Sequence, residues 1–219
     1  MTIKTAPEYV RPDEIEARSM AIISEELGER HFDPLQEPVI KRVIHTTADF
    51  DYADNLRFSE NAVPDVLTVF DRQPVIITDT QMAMAGINKK AAADLGIELH
   101  CFMADPDVAD AAKAAGTTRA QASMEKAARL YGKAGSPLIF AIGNAPTALI
   151  ALDELIRKEQ IRPALVIGVP VGFVNVVYAK ELIMTADVPY IVAAGRKGGS
   201  NVAAAIVNAL LYLKRGSRR

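Results

Sequence analysis

Apolar positions in the first seventy residues recur at helical spacing. Ile15, Ile22, Ile23 and Leu27 make one stripe, on a helix that Pro12 and Asp13 are suited to open, and Ser19 falls on the same stripe. A second helix is predicted from about Gln36 to His45, with Pro38 in its first turn and Val39, Ile40, Val43 and Ile44 as anchors. Ser59 reads as the cap of a third helix that ends near Phe70. Beyond it, β-rich runs alternate with amphipathic ones. Strands are expected at Val75–Thr80, Glu98–Met103, Leu138–Gly143, Ala164–Val171 and Tyr190–Ala194, and helices at Asp107–Ala115, Arg119–Tyr131, Pro146–Lys158 and Val174–Ala186. The runs VIIT, LIFAI, LVIGV and YIVA are almost continuously apolar, as strands buried on both faces are. The expected fold is α/β, a mainly parallel sheet covered by helices on both faces, in a single domain over residues 1–219. An N-terminal arm to about residue 10 and a frayed tail from residue 214 complete it.

Composition narrows the partners. Half the residues are hydrophobic, enough for a sizeable core, and a formal charge of −2 offers no basic field for nucleic acid. The uncharged stretch from Pro163 to Ala179 is too short for a bilayer and is broken by Gly168, Pro170 and Gly172, so it reads as a buried strand running into a helix. Cys101 is the only cysteine, which excludes an intrachain disulfide. The N-terminus lacks the apolar core of a signal peptide. A cytoplasmic protein without membrane contact is the expectation.

Ligands of open α/β sheets bind beyond the carboxyl ends of the strands. Three such ends carry unusual residues. In Gly143-Asn144-Ala145-Pro146-Thr147, Asn144 is placed to cap a helix whose free backbone N–H groups would face the crevice. In Gly168–Phe173, Gly172 permits close backbone approach. Gly195-Arg196-Lys197-Gly198-Gly199-Ser200-Asn201 combines two cations, adjacent glycines and a capping hydroxyl. These features suit a carboxylate or a phosphate. Neither a P-loop nor GxGxxG is present, so no nucleotide is specified. Each segment is equally readable as a well-capped turn.

Among the three histidines, His45 stands out, because the end of its helix favours an imidazolium by about 0.3–1 kcal/mol and so keeps a proton for general-acid work. Arg42, one turn earlier, opposes that charge unless a ligand carboxylate neutralises it. Thr46, Thr47 and Asp49 follow, placed to hold the imidazole tautomer or to bind ligand, and Asp49 is equally readable as a turn residue. Ser19 either bonds its own i−4 carbonyl or meets a ligand. Arg119 opens a helix against the dipole, which a ligand contact or plain solvation would explain. A structural C-capping role for His45 is the alternative. His100-Cys101 falls in an expected core strand, the histidines lack metal-ligand spacing, and no metal site is assigned.

These segments together resemble the precorrin-8X methylmutase family of vitamin B12 biosynthesis. The resemblance rests on IEARSM around Ser19, KRVIHTTADFDYADNLRFS around His45, TDTQMAMAGI at 78–87, TTRAQASMEKA around Arg119, IGNAPTAL at 142–149, GVPVGFVN at 168–175 and GRKGGSNVAAAIVNALL at 195–211. It implies a homodimeric isomerase without organic cofactor, moving a methyl group from C11 to C12 of (cobalt-)precorrin-8 to give hydrogenobyrinate or cobyrinate. His45 would be the proton donor or acceptor. Ser19, Arg42 and Arg119 would bind the carboxylate-fringed ring, with Arg119 reaching in from the partner subunit. Where the family often places an acidic residue and a serine after GFVNVV, this chain has Tyr178 and Ala179. Two other readings stay open: a non-catalytic corrinoid-binding carrier, and an unrelated nucleotide-binding enzyme using GRKGGS.

Overall fold

The computed structural model describes residues 9–132 and 135–216, so most of the expected arm and the last three residues of the tail lie outside the described residues. The chain begins with α1 (Ile15–Leu27), α2 (Glu37–Thr47) and a single turn, α3 (Tyr52–Asn55). A short strand β1 (Leu56–Phe58) and α4 (Ala62–Val69) lead into a repeating strand–helix pattern. Its members are β2 (Val75–Thr78), α5 (Gln81–Gly86), α6 (Lys89–Asp94), β3 (Glu98–His100), α7 (Pro106–Ala115) and α8 (Arg119–Tyr131). They continue as β4 (Leu138–Ile142), α9 (Pro146–Arg157), β5 (Leu165–Gly168), α10 (Val176–Met184), β6 (Tyr190–Ala193) and α11 (Ser200–Gly216).

The strands form one sheet in the order β1-β6-β5-β4-β2-β3, parallel from β6 to β3, in a single α/β domain. Every residue of β2, β4 and β5 is buried, which is why their sequences lack alternation. One apolar core joins α1, α2, α4, α5, α6 and α11 to one face of the sheet, and a second joins α7 to α10 to the other. The expected mainly parallel, doubly covered sheet is therefore observed.

Several local expectations are corrected. β1 runs antiparallel against β6 and was not foreseen, because three residues of mixed polarity (Leu-Arg-Phe) carry no strand periodicity. Ser59 does not cap α4; its hydroxyl accepts the Tyr190 N–H at 2.9 Å, and Asn61, in a left-handed conformation, precedes the helix. Asp13 does not open α1, since its carboxylate is taken by Arg11 at 2.7 Å. β3 is a three-residue edge strand rather than a core strand. Residues 214–216 are helical, with Lys214 buried against Asp71 at 2.6 Å instead of frayed.

Sheet order reverses between β2 and β4, the position where such folds open a crevice. In this chain the crevice is narrow. A Cβ on Gly143 would meet Ser200 Cα at 2.6 Å, so the end of β4 is pressed against the start of α11.

Candidate functional site

The last turn of α2 carries the site. Ala48, at φ 53°, stops the helix by donating its N–H to Ile44 O at 2.7 Å, which leaves His45 half-buried rather than sealed in the core. His45 Nδ1 lies 2.9 Å from Ser19 Oγ on α1. One turn along both helices, Arg42 donates to Glu16 Oε1 at 2.6 Å. The two helices thus meet in two polar rungs three residues apart. With Nδ1 engaged, Nε2 is the ring nitrogen left without a partner among the described residues.

This arrangement corrects the expected neighbours of the imidazole. The Thr46 and Thr47 hydroxyls donate to Arg42 O at 2.9 Å and Val43 O at 2.8 Å, and Asp49 accepts from Lys197 at 2.6 Å. None of them holds the ring; Ser19 does. The back-bond to an i−4 carbonyl occurs one turn later on α1, from Ser24 to Met20 O. Arg42 is not an isolated cation opposing His45 either. Glu16 neutralises it and the Tyr212 ring lies 5.2 Å beneath the guanidinium.

The turn between β6 and α11 closes onto the same corner. Lys197 Nζ lies 2.6 Å from both Asp49 and Asp51. Those two bonds raise Lys197 well above the ordinary lysine range, and the bond from Lys197 lowers Asp49. Lys197 is thus already paired, not free for an anion as its sequence context suggested. Arg196 lies over the Phe173 ring at 5.5 Å. Ser200 Oγ is 2.8 Å from Thr80 Oγ1, whose oxygen also caps α5 by accepting from Ala83 N. Gly198, at φ 158°, has no room for a Cβ, which would fall 2.1 Å from Val169 O.

The second expected anion position is filled by the protein itself. The backbone N–H groups of Gly143, Asn144 and Ala145 donate to the Asp79 carboxylate at 2.9, 2.8 and 2.7 Å. They do not face the crevice free, and Asn144 does not cap α9, which is preceded by Ala145 without a side-chain bond. Burial pushes the Asp79 carboxyl up, while the three amides pull it down. Thr147 is engaged too, its hydroxyl 2.8 Å from that of Thr118, which caps α8. That contact sets Arg119 beside the start of α9, exposed and without a partner among the described residues.

His45, Ser19, Arg42, Thr46, Asp49 and the 196–200 turn therefore share one corner, while Asn144, Ala145, Thr147 and Arg119 border the end of β4. Hollows of about 240 and 470 Å³ flank Arg42 along the groove between α2 and α11. The smaller one also reaches Thr46 and Asn201, and both hollows lie open to solvent, so the chain offers an open shelf. Gly172, at φ 148°, precedes the exposed pair Phe173–Val174, and the Phe173 ring lies against Arg196 of the turn before α11. Sequence reasoning missed Glu16, Asp79 and Lys180. The last stood in plain view, one helical turn after Val176 on the stripe that α10 buries.

His100 takes no part. Its Nε2 lies 3.1 Å from both Glu98 Oε2 and Tyr131 OH. Cys101 is buried, which raises its thiol, and among the described residues no cluster of three or more His, Cys, Asp or Glu is placed to hold a metal ion.

Comparison with known proteins decides the family. The family model described as precorrin-8X methylmutase matches residues 14–213. The chain belongs to the precorrin-8X methylmutase family. It is 45% identical over 207 residues to the cobalt-precorrin-8 methylmutase of Salmonella typhimurium, covering 92% of this chain and 95% of that one. Identity to the cobalt-precorrin-8 methylmutase of Leptospira interrogans is 41%, with 93% and 96% covered, and to the precorrin-8X methylmutase of Pseudomonas aeruginosa 34%, with 93% and 97% covered. The crystal structure of precorrin-8X methyl mutase from Thermus thermophilus superposes with a TM-score of 0.84 at 41% identity, covering 93% of this chain and 98% of that chain. The methylmutase family is one of isomerases in cobalamin biosynthesis, and every segment of the corner around His45 falls inside the matched region.

Proposed function

We propose that this methylmutase moves a methyl group from C11 to C12 of precorrin-8, as the free ring or its cobalt complex, with His45 as the proton-transferring group. The observation that carries the assignment of roles is the Ser19–His45 contact, which fixes the ring and leaves Nε2 unpartnered on a half-exposed surface. A proton passed from Nε2 to the conjugated macrocycle makes the ring electron-poor, the methyl group migrates within the molecule, and the proton returns to His45. Atoms and charge balance without an added reactant. Positioned proton transfer of this kind contributes about 10²–10⁴-fold.

The substrate is a large ring fringed with carboxylates. Arg42 meets one of them by exchanging Glu16 for it, and the surroundings of Lys197, Arg196 and Ser200 receive others. Arg119, exposed and without a partner among the described residues, suits the same chemistry, directed at a substrate on the partner subunit of a homodimer. Two observations support the dimer. The shelf is open on one chain, and Phe173 and Val174 are 83% and 78% exposed, with Val171, Val177 and Tyr178 near them in sequence also exposed. The cytoplasm is the proposed compartment; among the described residues no helix is long and apolar enough to cross a membrane.

The test is conversion of both substrate forms followed by visible absorption, which changes as the conjugation changes. A carrier would return its ligand spectrally unaltered. Sedimentation of the protein at increasing concentration tests the dimer.

A further inference from the structure

Lys180 is fully buried, 0% exposed, in the middle of α10. A charged lysine in such a place ordinarily has a carboxylate partner. Lys180 has none among the described residues; its Nζ donates to two backbone carbonyls, Gly195 O and Lys197 O, each at 2.8 Å. Between them, Arg196 O accepts the Gly172 N–H at 3.2 Å. The carbonyls of residues 195, 196 and 197 are thus all engaged, two of them by one ammonium in the core.

A trans peptide holds its N–H opposite its C=O, and the described chain has no cis peptide. With the carbonyls of 195 and 197 drawn toward α10, the N–H groups of Arg196 and Gly198 point the other way, away from the Lys180 ammonium. Neither has an acceptor among the described residues, nor has the N–H of Lys197. An ammonium bonded to a carbonyl also polarises that peptide and strengthens its N–H as a donor. The absence of a carboxylate on Lys180 leaves that polarisation uncancelled.

We infer that Lys180 is a positioning residue for the methyl shift: from the core it sets the 195–198 turn and presents the amides of Arg196 and Gly198 to a substrate carboxylate. The inference rests on the substrate reading above, because it takes the ligand to be a polycarboxylate. Lys180 touches no substrate itself. Its second effect runs through Lys197, whose side chain leaves the same turn to bind Asp49 and Asp51 just beyond His45.

Lys180→Met and Lys180→Gln have side chains of equal length and differ in their hydrogen-bond donors. In Lys180→Met the KM for precorrin-8 should rise roughly tenfold, the loss of one charge-assisted contact, with kcat little changed. Lys180→Gln, which still donates to carbonyls, should recover part of that loss. Amide hydrogen exchange should quicken at residues 196–198 in Lys180→Met while β4, β5 and β6 keep their protection. A folded Lys180→Met with wild-type KM and unchanged exchange at 196–198 would overturn the inference, as would a variant that merely melts earlier with KM intact. If the wild-type protein fails to convert precorrin-8, the substrate reading fails instead, and the exchange comparison alone decides whether Lys180 sets the turn.

Discussion

Ser19 Oγ and His45 Nδ1 lie 2.9 Å apart, across two helices whose other polar contact one turn away is Glu16 with Arg42. This pair turns a helix-terminal histidine into an oriented one. Whichever atom donates, the bond fixes the plane of the imidazole and leaves Nε2 as the nitrogen that the proposed proton transfer would use. Removing the hydroxyl with Ser19→Ala should leave the fold intact and free the ring to rotate. Misplacement of a reacting group by about 1 Å costs on the order of 10²-fold, so kcat should fall ten- to hundredfold on that scale with KM nearly unchanged. Steady-state kinetics of the variant check this.

Asp79 and the amides of residues 143–145 lead to a stability prediction. Asp79→Asn keeps the size but offers one oxygen and an NH₂ group to three N–H donors. Unfolding free energy should drop by about 2–4 kcal/mol, read by urea denaturation, with the loss concentrated at the end of β4 in hydrogen exchange.

Much of the fold was legible in the chain for a simple reason. The runs at β2, β4, β5 and β6 are short and apolar without alternation, as strands covered on both faces are. β1 was not legible, because its pairing with β6 is set by tertiary contact and not by local pattern. The site shows the same division. His45 at a helix end and the glycine-rich turn before α11 could be read directly. The partners of the expected cations could not, since Glu16, Asp49 and Asp51 are ordinary surface acids until the fold brings them to Arg42 and Lys197. The amides of residues 143–145 read as free in the sequence because Asp79, sixty-four residues from Gly143, is brought to them only by the fold.

Burial lowers Lys180 to about 8 from an ordinary 10.5. Between those values the unfolded chain holds more protons than the folded one, so stability contributed by this group rises with pH across that window and its cost is fully present below pH 8. The difference in unfolding free energy between wild type and Lys180→Met should therefore shift in favour of wild type by roughly 2–3 kcal/mol between pH 7.5 and 10. Subtraction of the two proteins removes the contribution of tyrosines titrating at the upper end. A flat difference would mean that Lys180 is already neutral or is solvated.

Gly198→Ala places a methyl group 2.1 Å from Val169 O at a φ of 158° that side chains avoid. The turn must move, at a cost of about 2–4 kcal/mol. Because Gly199 N also bonds Val169 O at 2.9 Å, the start of α11 should move with it. The expected result is a lowered melting temperature and weakened substrate binding together.

The most direct measurement is single-turnover conversion of precorrin-8 by His45→Ala, alongside substrate binding by the same variant. Binding should persist near the wild-type level, since Arg42 and the 195–200 turn remain, while the absorption change that marks methyl migration disappears. Migration by His45→Ala at close to the wild-type rate would contradict the account, whatever the variant's affinity.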